Sequence, residues 1–338
     1  MKALRSPDVA ALASRFGAPP YLGTVEWCVD DAKIDGATIH LAGVAVDVDG
    51  ECVTGSAAST VEVPVERAYL ELLERLAVLE AIERAPSRFV LVDETGTPTG
   101  IAPFGKVFPT SPTPDEWRWA RSNGVAVGPS FGFAANRARL ELIERDRVLR
   151  SWYGELLPQS ADVEPGLFPV ALREHYDVRA SAFGNSEGGV VCGVFALPKG
   201  GAPLSFGFSA RPTRREAVAS AALECLQRIG FLFGEASSDR APDAAPTPDF
   251  HQDYFLASDG NRRVEQWLAG NHQGLHVFAT ERARNPRRGY VDLTPDWFRS
   301  GLSAVRAIPE DEIPLWFGAS HPLVDGAHLS DISVHPIA

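Results

Sequence analysis

The chain has 338 residues, 45% of them hydrophobic and 22% charged, which is the composition of a soluble globular protein of one large domain or two. A formal net charge of −12 argues against a nucleic-acid-binding surface, and no stretch approaches the ~18 apolar residues of a membrane span. The four cysteines (Cys28, Cys52, Cys192, Cys225) stand alone without CxxC or histidine-ligand spacing, and the N-terminus lacks a signal peptide's apolar core, so reduced thiols in a cytoplasmic protein are expected.

Residues 7–16 predict a short amphipathic helix starting near Pro7. Ala37–Val48 alternates like a strand, and Asp49-Gly50 signals a turn. Gly55–Thr60, GSAAST, reads as a small-residue loop leading into a helix whose first turn suits Pro64. Amides exposed before a helix N-terminus can receive an anion, although many such loops only turn the chain. In the helix Arg67–Leu79, RAYLELLERLAVL, Glu71 and Glu74 share a face and Arg75 lies one turn after Glu71. Leu70, Leu72, Leu73, Leu76, Val78 and Leu79 take up most of the circumference, as in a buried helix. Carboxylates there need an Arg, a Lys or a metal; on a solvated face the same residues would form only weak ion pairs.

Arg88–Asp93 reads as a buried strand, followed by the loop ETGTPTG. Ser122–Pro129, SNGVAVGP, is a glycine-bracketed approach to a second helix. That helix, Arg137–Leu149, RARLELIERDRVL, repeats the first after seventy positions and places Glu141, Glu144 and Arg145 as the first places Glu71, Glu74 and Arg75. Asp146 caps, pairs with Arg150 or faces the site, and Trp152 and Tyr153 close a core. Gly188–Leu197 and Leu204–Ser209 predict a hairpin through Pro198–Pro203. Pro212 opens a third helix in which LECLQR, 223–228, is a worn copy carrying Glu224 and Gln227. Residues 235–249, rich in Pro, Ala, Ser and Asp, predict a mobile surface loop. Beyond it come strands at Leu275–Thr280, Tyr290–Leu293 and Leu302–Pro309 and helices at Arg262–Ala269 and Pro295–Ser300. His251, His272 and His276 show no zinc spacing and read as solvated or core residues. The alternation predicts a mixed α/β (α+β) fold. Were the three helices to converge, their glutamates would form hard oxygen ligands of the kind that suit Mg2+, which commonly bridges to phosphates.

The segments LELLER (70–75), SNGVAVG (122–128), LELIERD (140–146), ARPTRREAVASAALECLQ (210–227), SDGNRRVEQWL (258–268) and VDLTPDWFRSGLSAVRAIPEDEIPLWFG (291–318) resemble the YcaO family in order and spacing, over roughly residues 40–320. The resemblance implies a YcaO-like fold with internally repeated helix-on-sheet units, in a single domain over 37–338 after an N-terminal segment 1–36. It implies ATP and Mg2+ as cofactors and activation of a peptide backbone amide. In cyclodehydration a Cys, Ser or Thr attacks the preceding carbonyl, and loss of the phosphorylated oxygen leaves an azoline; other members install thioamides or amidines. Carried over by position, Glu71, Glu74, Glu141 and Glu144 match the metal carboxylates. Arg75, Arg145, Glu224, Gln227 and Arg306 match nucleotide-site positions, with Arg306 facing phosphate.

The implied partners are a precursor peptide and a leader-recognising protein (E1-like, ocin-ThiF-like or TfuA-like), with the chain itself a homodimer. Four departures stand out. Phe133 replaces the family's usual metal-binding Glu, Arg67 its Ser and Pro129 its Asn, and SVHPIA replaces a PxPxP tail; no leader-binding domain precedes the motifs. The expected function is therefore ATP-dependent cyclodehydration of a ribosomally made peptide. The alternatives are thioamide formation, a degenerate scaffold subunit, or an accessory factor for modifying a ribosomal protein.

Overall fold

Proline, glycine and the change of hydrophobic period from two to 3.6 divide the chain into strands and helices, and a computed structural model describes residues 7–20, 24–84, 86–186, 188–234, 242–271, 289–318 and 334–337. The N-terminal part runs α1 (Val9–Phe16), β1 (Glu26–Ile34), β2 (Ala37–Val48), β3 (Glu51–Ser59) and α2 (Val65–Glu83). Next come β4 (Arg88–Val92), β5 (Pro98–Pro103), α3 (Phe104–Val107), β6 (Trp117–Trp119), β7 (Val125–Gly128) and α4 (Phe131–Trp152). The middle holds β8 (Gln159–Ala161), β9 (Tyr176–Ser186), β10 (Gly189–Pro198), β11 (Ser205–Arg211) and α5 (Arg214–Leu232). The described remainder is α6 (Pro248–Leu256), α7 (Ser258–Leu268), β12 (Tyr290–Asp292), β13 (Ser303–Ala307) and β14 (Trp316–Gly318). This is the mixed α/β class expected.

The chain divides into two compact units, with α4 passing from the first into the second after Arg139. The first comprises Met1–Phe108, Gly124–Arg139 and Arg287–Ile308. Its β1-β2-β3 meander is antiparallel, and its other sheet has the order β5-β4-β12-β13-β7, so β3 and β7 are edge strands. Leu72, Leu73 and Leu76 of α2 pack with Val44, Val53, Ala57, Val125 and Ala304 in one core. Helix α2 lies so close to β3 that a Cβ on Gly55 would stand 2.5 Å from the Leu72 amide nitrogen.

The second unit comprises Pro109–Asn123, Leu140–Pro286 and Pro309–Ala338. Its main sheet has the order β11-β10-β9-β8, with β11 at the edge, and β14 pairs with β6. An aromatic core holds it together: the Phe183 and Trp267 rings stack with centroids 5.1 Å apart, and Phe195 and Phe208 close around them. Thr213 and Glu216 form a capping box that starts α5.

Several local expectations change. GSAAST is mostly strand, because the small residues Gly55, Ala57 and Ala58 let α2 cross β3 at close range. No helix forms at 295–300; Phe298 instead bridges to Gly17, and the Arg299 amide donates to the Phe16 carbonyl. Strand β4 is buried only at Val92, since β5 and β4 lie at the outer end of their sheet. The loop expected at 235–249 falls partly on residues 235–241, outside the described residues, and α6 already begins at Pro248. The strand expected at 275–280, with His272 and His276, also lies outside the described residues. Among the described residues no helix is long and apolar enough to cross a membrane.

Candidate functional site

An edge strand leaves every second backbone amide without a strand partner. In both units those amides are taken up by glutamates of the three helices. In the first unit the Ser56 amide on β3 donates to Glu71 Oε2 at 2.8 Å, and the Val127 amide on β7 donates to Glu74 Oε2 at 3.2 Å. In the second unit two successive outward amides of β11 are used: Phe208 N–H donates to Glu224 Oε2 at 3.1 Å and Ala210 N–H to Glu144 Oε2 at 3.0 Å. Helical spacing alone put these carboxylates on helix faces; the amides that orient them could be found only from the strand topology.

The arginines sort differently. Arg75 Nη2 pairs with Glu71 Oε1 at 2.7 Å and its Nη1 donates to Thr54 Oγ1 at 2.8 Å, so both oxygens of Glu71 are engaged. Arg145 Nη2 pairs with Glu141 Oε1 at 2.9 Å, in the second unit. Arg306 on β13 is 3% exposed, and its guanidinium carbon lies 4.7 Å from the Phe108 ring centroid. Gln227 follows Glu224 by three residues on α5 and is half-buried. Asp146, which the sequence left open among three roles, pairs with Arg150 at 2.8 Å and accepts the Ile313 amide at 3.0 Å. It is a structural counter-ion inside the second unit.

The unexpected residues also have places. Arg67 is exposed and donates to the Ala58 carbonyl at 3.3 Å. The Phe133 ring covers Gly128, where a Cβ would stand 3.2 Å from its Cε1, yet Phe133 remains 51% exposed. Pro129 is exposed, between β7 and α4.

Whether these carboxylates suit a divalent cation can be judged from Glu144 and Glu224. Their amide partners are two residues apart on one strand, so the two carboxylates are anchored roughly 6.6 Å apart along it. Each of these bonds engages one carboxylate oxygen, Oε2. Burial on most sides, and next the Glu144 charge, push Glu224 up to about 8, although the residue keeps access to solvent; the Phe208 amide, Arg211 and Arg145 oppose the shift. Two carboxylates that resist sharing negative charge gain from a cation between them. Among the described residues no group of three or more His, Cys, Asp or Glu side chains is arranged to hold a metal by itself. The Glu144 and Glu224 carboxylates suit Mg2+, which commonly takes one or two carboxylates and completes its shell with water and phosphate oxygens.

A family model described as YcaO cyclodehydratase, ATP- and Mg2+-binding, matches residues 97–308. No curated protein matches the chain. Among solved structures, the chain is similar to the YcaO protein of Methanopyrus kandleri bound with AMPPCP and Mg2+, at 18% identity and a TM-score of 0.56 over 83% of this chain and 84% of that one. It is similar to a chain of the E. coli microcin synthetase McbBCD complex with pro-MccB17 bound, at 12% identity and a TM-score of 0.56 over 89% and 96% of the two chains. A heterocyclase in complex with substrate and cofactor matches at 16% identity and a TM-score of 0.52 over 90% of this chain, which spans 52% of the heterocyclase. At these identities the likeness is one of fold.

Proposed function

The chain belongs to the YcaO family of ATP- and Mg2+-binding cyclodehydratases, and from that premise we propose that it activates backbone amides of a ribosomally made peptide and cyclodehydrates Cys, Ser or Thr to azolines. The observation that carries the reading is the pair Glu144 and Glu224, each oriented by an adjacent outward amide of β11 and close enough to oppose each other's charge. Bound ATP supplies the phosphoryl group that makes an amide oxygen a leaving group, and Mg2+ offsets the charge that moves with it.

The chain's own residues bind and orient. We assign the cation to the carboxylates of Glu144 and Glu224, because their amide donors lie two residues apart on one strand, whereas Glu71 pairs with Arg75 and Glu141 with Arg145. In the first unit Glu74 is held in the same way by the Val127 amide and is proposed as a carboxylate for a cation, while Arg75 and Arg145 fix the rotamers of Glu71 and Glu141. Gln227 in the second unit and Arg306 in the first are each proposed as nucleotide-binding residues. Preorganisation by backbone amides means that these groups need not reorganise during transfer.

The likeness in fold to a microcin synthetase chain, from a complex that contains pro-MccB17, supports a peptide substrate and a partner protein. We further propose that the partner recognises the leader and that this chain acts as a cytoplasmic homodimer. The test is to incubate the protein with ATP, Mg2+, a precursor peptide encoded beside it and the neighbouring partner proteins, followed by mass spectrometry. Loss of one water per modified site supports cyclodehydration; exchange of oxygen for sulfur assigns thioamide formation instead. An unmodified peptide overturns the enzymatic reading, and the absence of binding to a nonhydrolysable ATP analogue with Mg2+ would then leave a scaffold role.

A further inference from the structure

Two stretches of the chain are built alike, and the likeness is closer than the sequence repeat suggests. In the first unit Thr54, Gly55 and Ser56 of β3 lie under α2, with Glu71 on the Ser56 amide and Arg75 one turn later. In the second, Phe206, Gly207 and Phe208 of β11 lie under α5, with Glu224 on the Phe208 amide and Arg228 one turn later. The glycines match in contact as well: a Cβ on Gly55 would meet the Ala68 carbonyl and the Leu72 amide, and a Cβ on Gly207 the Ala221 carbonyl and the Cys225 amide.

The two copies differ in where the arginine goes. Arg75 bridges Thr54 and Glu71. Arg228 instead lies with its guanidinium carbon 4.4 Å from the Phe206 ring centroid, and its Nε and Nη2 are buried without a hydrogen-bond partner. It makes no ion pair with Glu224 among the described residues, although the spacing of four residues is the one at which Glu and Arg pair on a helix. The residue before the glycine therefore decides the arginine's position: a hydroxyl draws it to the glutamate, and an aromatic face draws it away.

We propose that Phe206 is a positioning residue for the cation site: it holds Arg228 off Glu224, so that the Glu224 carboxylate is left to a divalent cation rather than to the guanidinium. This rests on the reading that the pair holds Mg2+. Phe206 belongs to the aromatic core and is 3% exposed, so its ring has a fixed place from which to hold the guanidinium. A flexible aliphatic side chain at 206 would lose the π-face, and the guanidinium would find its nearest compensation at Glu224.

The test uses the full chain as wild type, Phe206→Leu and Phe206→Leu/Arg228→Met. A metal-free crystal structure of Phe206→Leu should show Arg228 paired with Glu224, and calorimetry with a nonhydrolysable ATP analogue should show Mg2+-dependent affinity weakened on the order of fivefold. Adding Arg228→Met should restore the affinity, which repair of a damaged core would not do. An Arg228 that stays off Glu224 in Phe206→Leu overturns the proposal, as does a double variant as weak as the single one. Absence of Mg2+-dependent binding by the wild type instead overturns the metal reading, while the position of Arg228 in Phe206→Leu still decides this inference. Should Phe206→Leu not fold, Thr54→Phe at an exposed position runs the same experiment in reverse: Arg75 should leave Glu71 for the new ring, and an intact Arg75–Glu71 pair would sink the idea.

Discussion

Glu71 and Glu224 are held by the same bond: each accepts the edge-strand amide that follows a glycine pressed against its own helix, at 2.8 Å and 3.1 Å. The glycine is what brings the amide within reach, since at Gly207 a Cβ would stand 2.6 Å from the Cys225 amide nitrogen, and backbone cannot step aside as a side chain can. Gly207→Ala should therefore cost about 3 kcal/mol or more and take Glu224 off its amide. Gly200→Ala, where nothing lies within 4 Å of the added carbon, should stay within about 0.5 kcal/mol of wild type. Urea unfolding of both variants is the check; equal stabilities would mean that α5 can lift from β11 at little cost.

The edge-strand amides also separate the two duties of the glutamates. In Glu144→Gln the side-chain carbonyl can still accept the Ala210 amide, so folding should change by less than about 1 kcal/mol while the charge offered to a cation is lost. Mg2+-dependent nucleotide affinity should fall about tenfold or more. Glu144→Ala should lose the same affinity and about 1–2 kcal/mol of stability besides, because the amide is left unsatisfied. Calorimetric titration beside a melting curve reads both quantities, and a Glu144→Gln protein that binds as wild type would exclude Glu144 from the metal site.

Much of this arrangement was legible before any coordinates. The ExxER spacing placed Glu71, Glu74, Glu141 and Glu144 on helices, and the hairpin Gly189–Pro198 with Ser205–Arg211 followed from composition. The closeness of one pairing was not. Side-chain identity makes α4 the nearer copy of α2, because both carry Arg-Ala and Leu-Glu at matching places, and α5 only a worn one. In geometry α5 repeats α2 closely, because a glycine and the main-chain amide after it recur under the matching glutamate. For the same reason Gly55–Ser59 read as a loop: small residues mark turns, yet here they mark a strand crossed closely by a helix. The position of Arg228 depends on an aromatic ring twenty-two residues away in sequence, a contact that no periodicity encodes.

Asp146 and Arg150 form a buried pair, at 8% and 7% side-chain exposure, and burial raises the Asp146 carboxyl against the pull of Arg150, of the Ile313 amide and of Arg147. Such a pair contributes little net stability while intact and costs much when halved. Asp146→Ala should destabilise by about 3–5 kcal/mol, since Arg150 keeps Glu155 and the Asp311 carbonyl but loses its closest buried counter-charge, and the Ile313 amide loses its acceptor. Asp146→Asn, which can still accept the Ile313 amide, should cost visibly less. Chemical denaturation ranks the two, and equal losses would show that the charge rather than the amide acceptor matters.

The last prediction concerns acid. His251 is fully buried: its Nε2 accepts the Gly318 amide at 3.0 Å, and its ring centroid lies 4.3 Å from that of His335, with Phe250 and Phe317 as further ring neighbours. Burial lowers His251 from 6.5 to about 4, against the backbone contacts with His335 and Gly318. The unfolded chain thus binds this proton more readily than the folded one, so the stability contribution is complete above about pH 6.5 and is lost as pH falls toward about pH 4. For a single proton the loss reaches about 2 kcal/mol by about pH 5 and about 3 kcal/mol in all. Urea midpoints measured from neutral to about pH 5 should fall by that amount in wild type, and the His251-dependent part of the slope should vanish in His251→Gln, whatever that variant's stability at neutral pH. Parallel pH profiles for the two proteins would mean that His251 takes up its proton without unfolding the segment around Gly318 and His335.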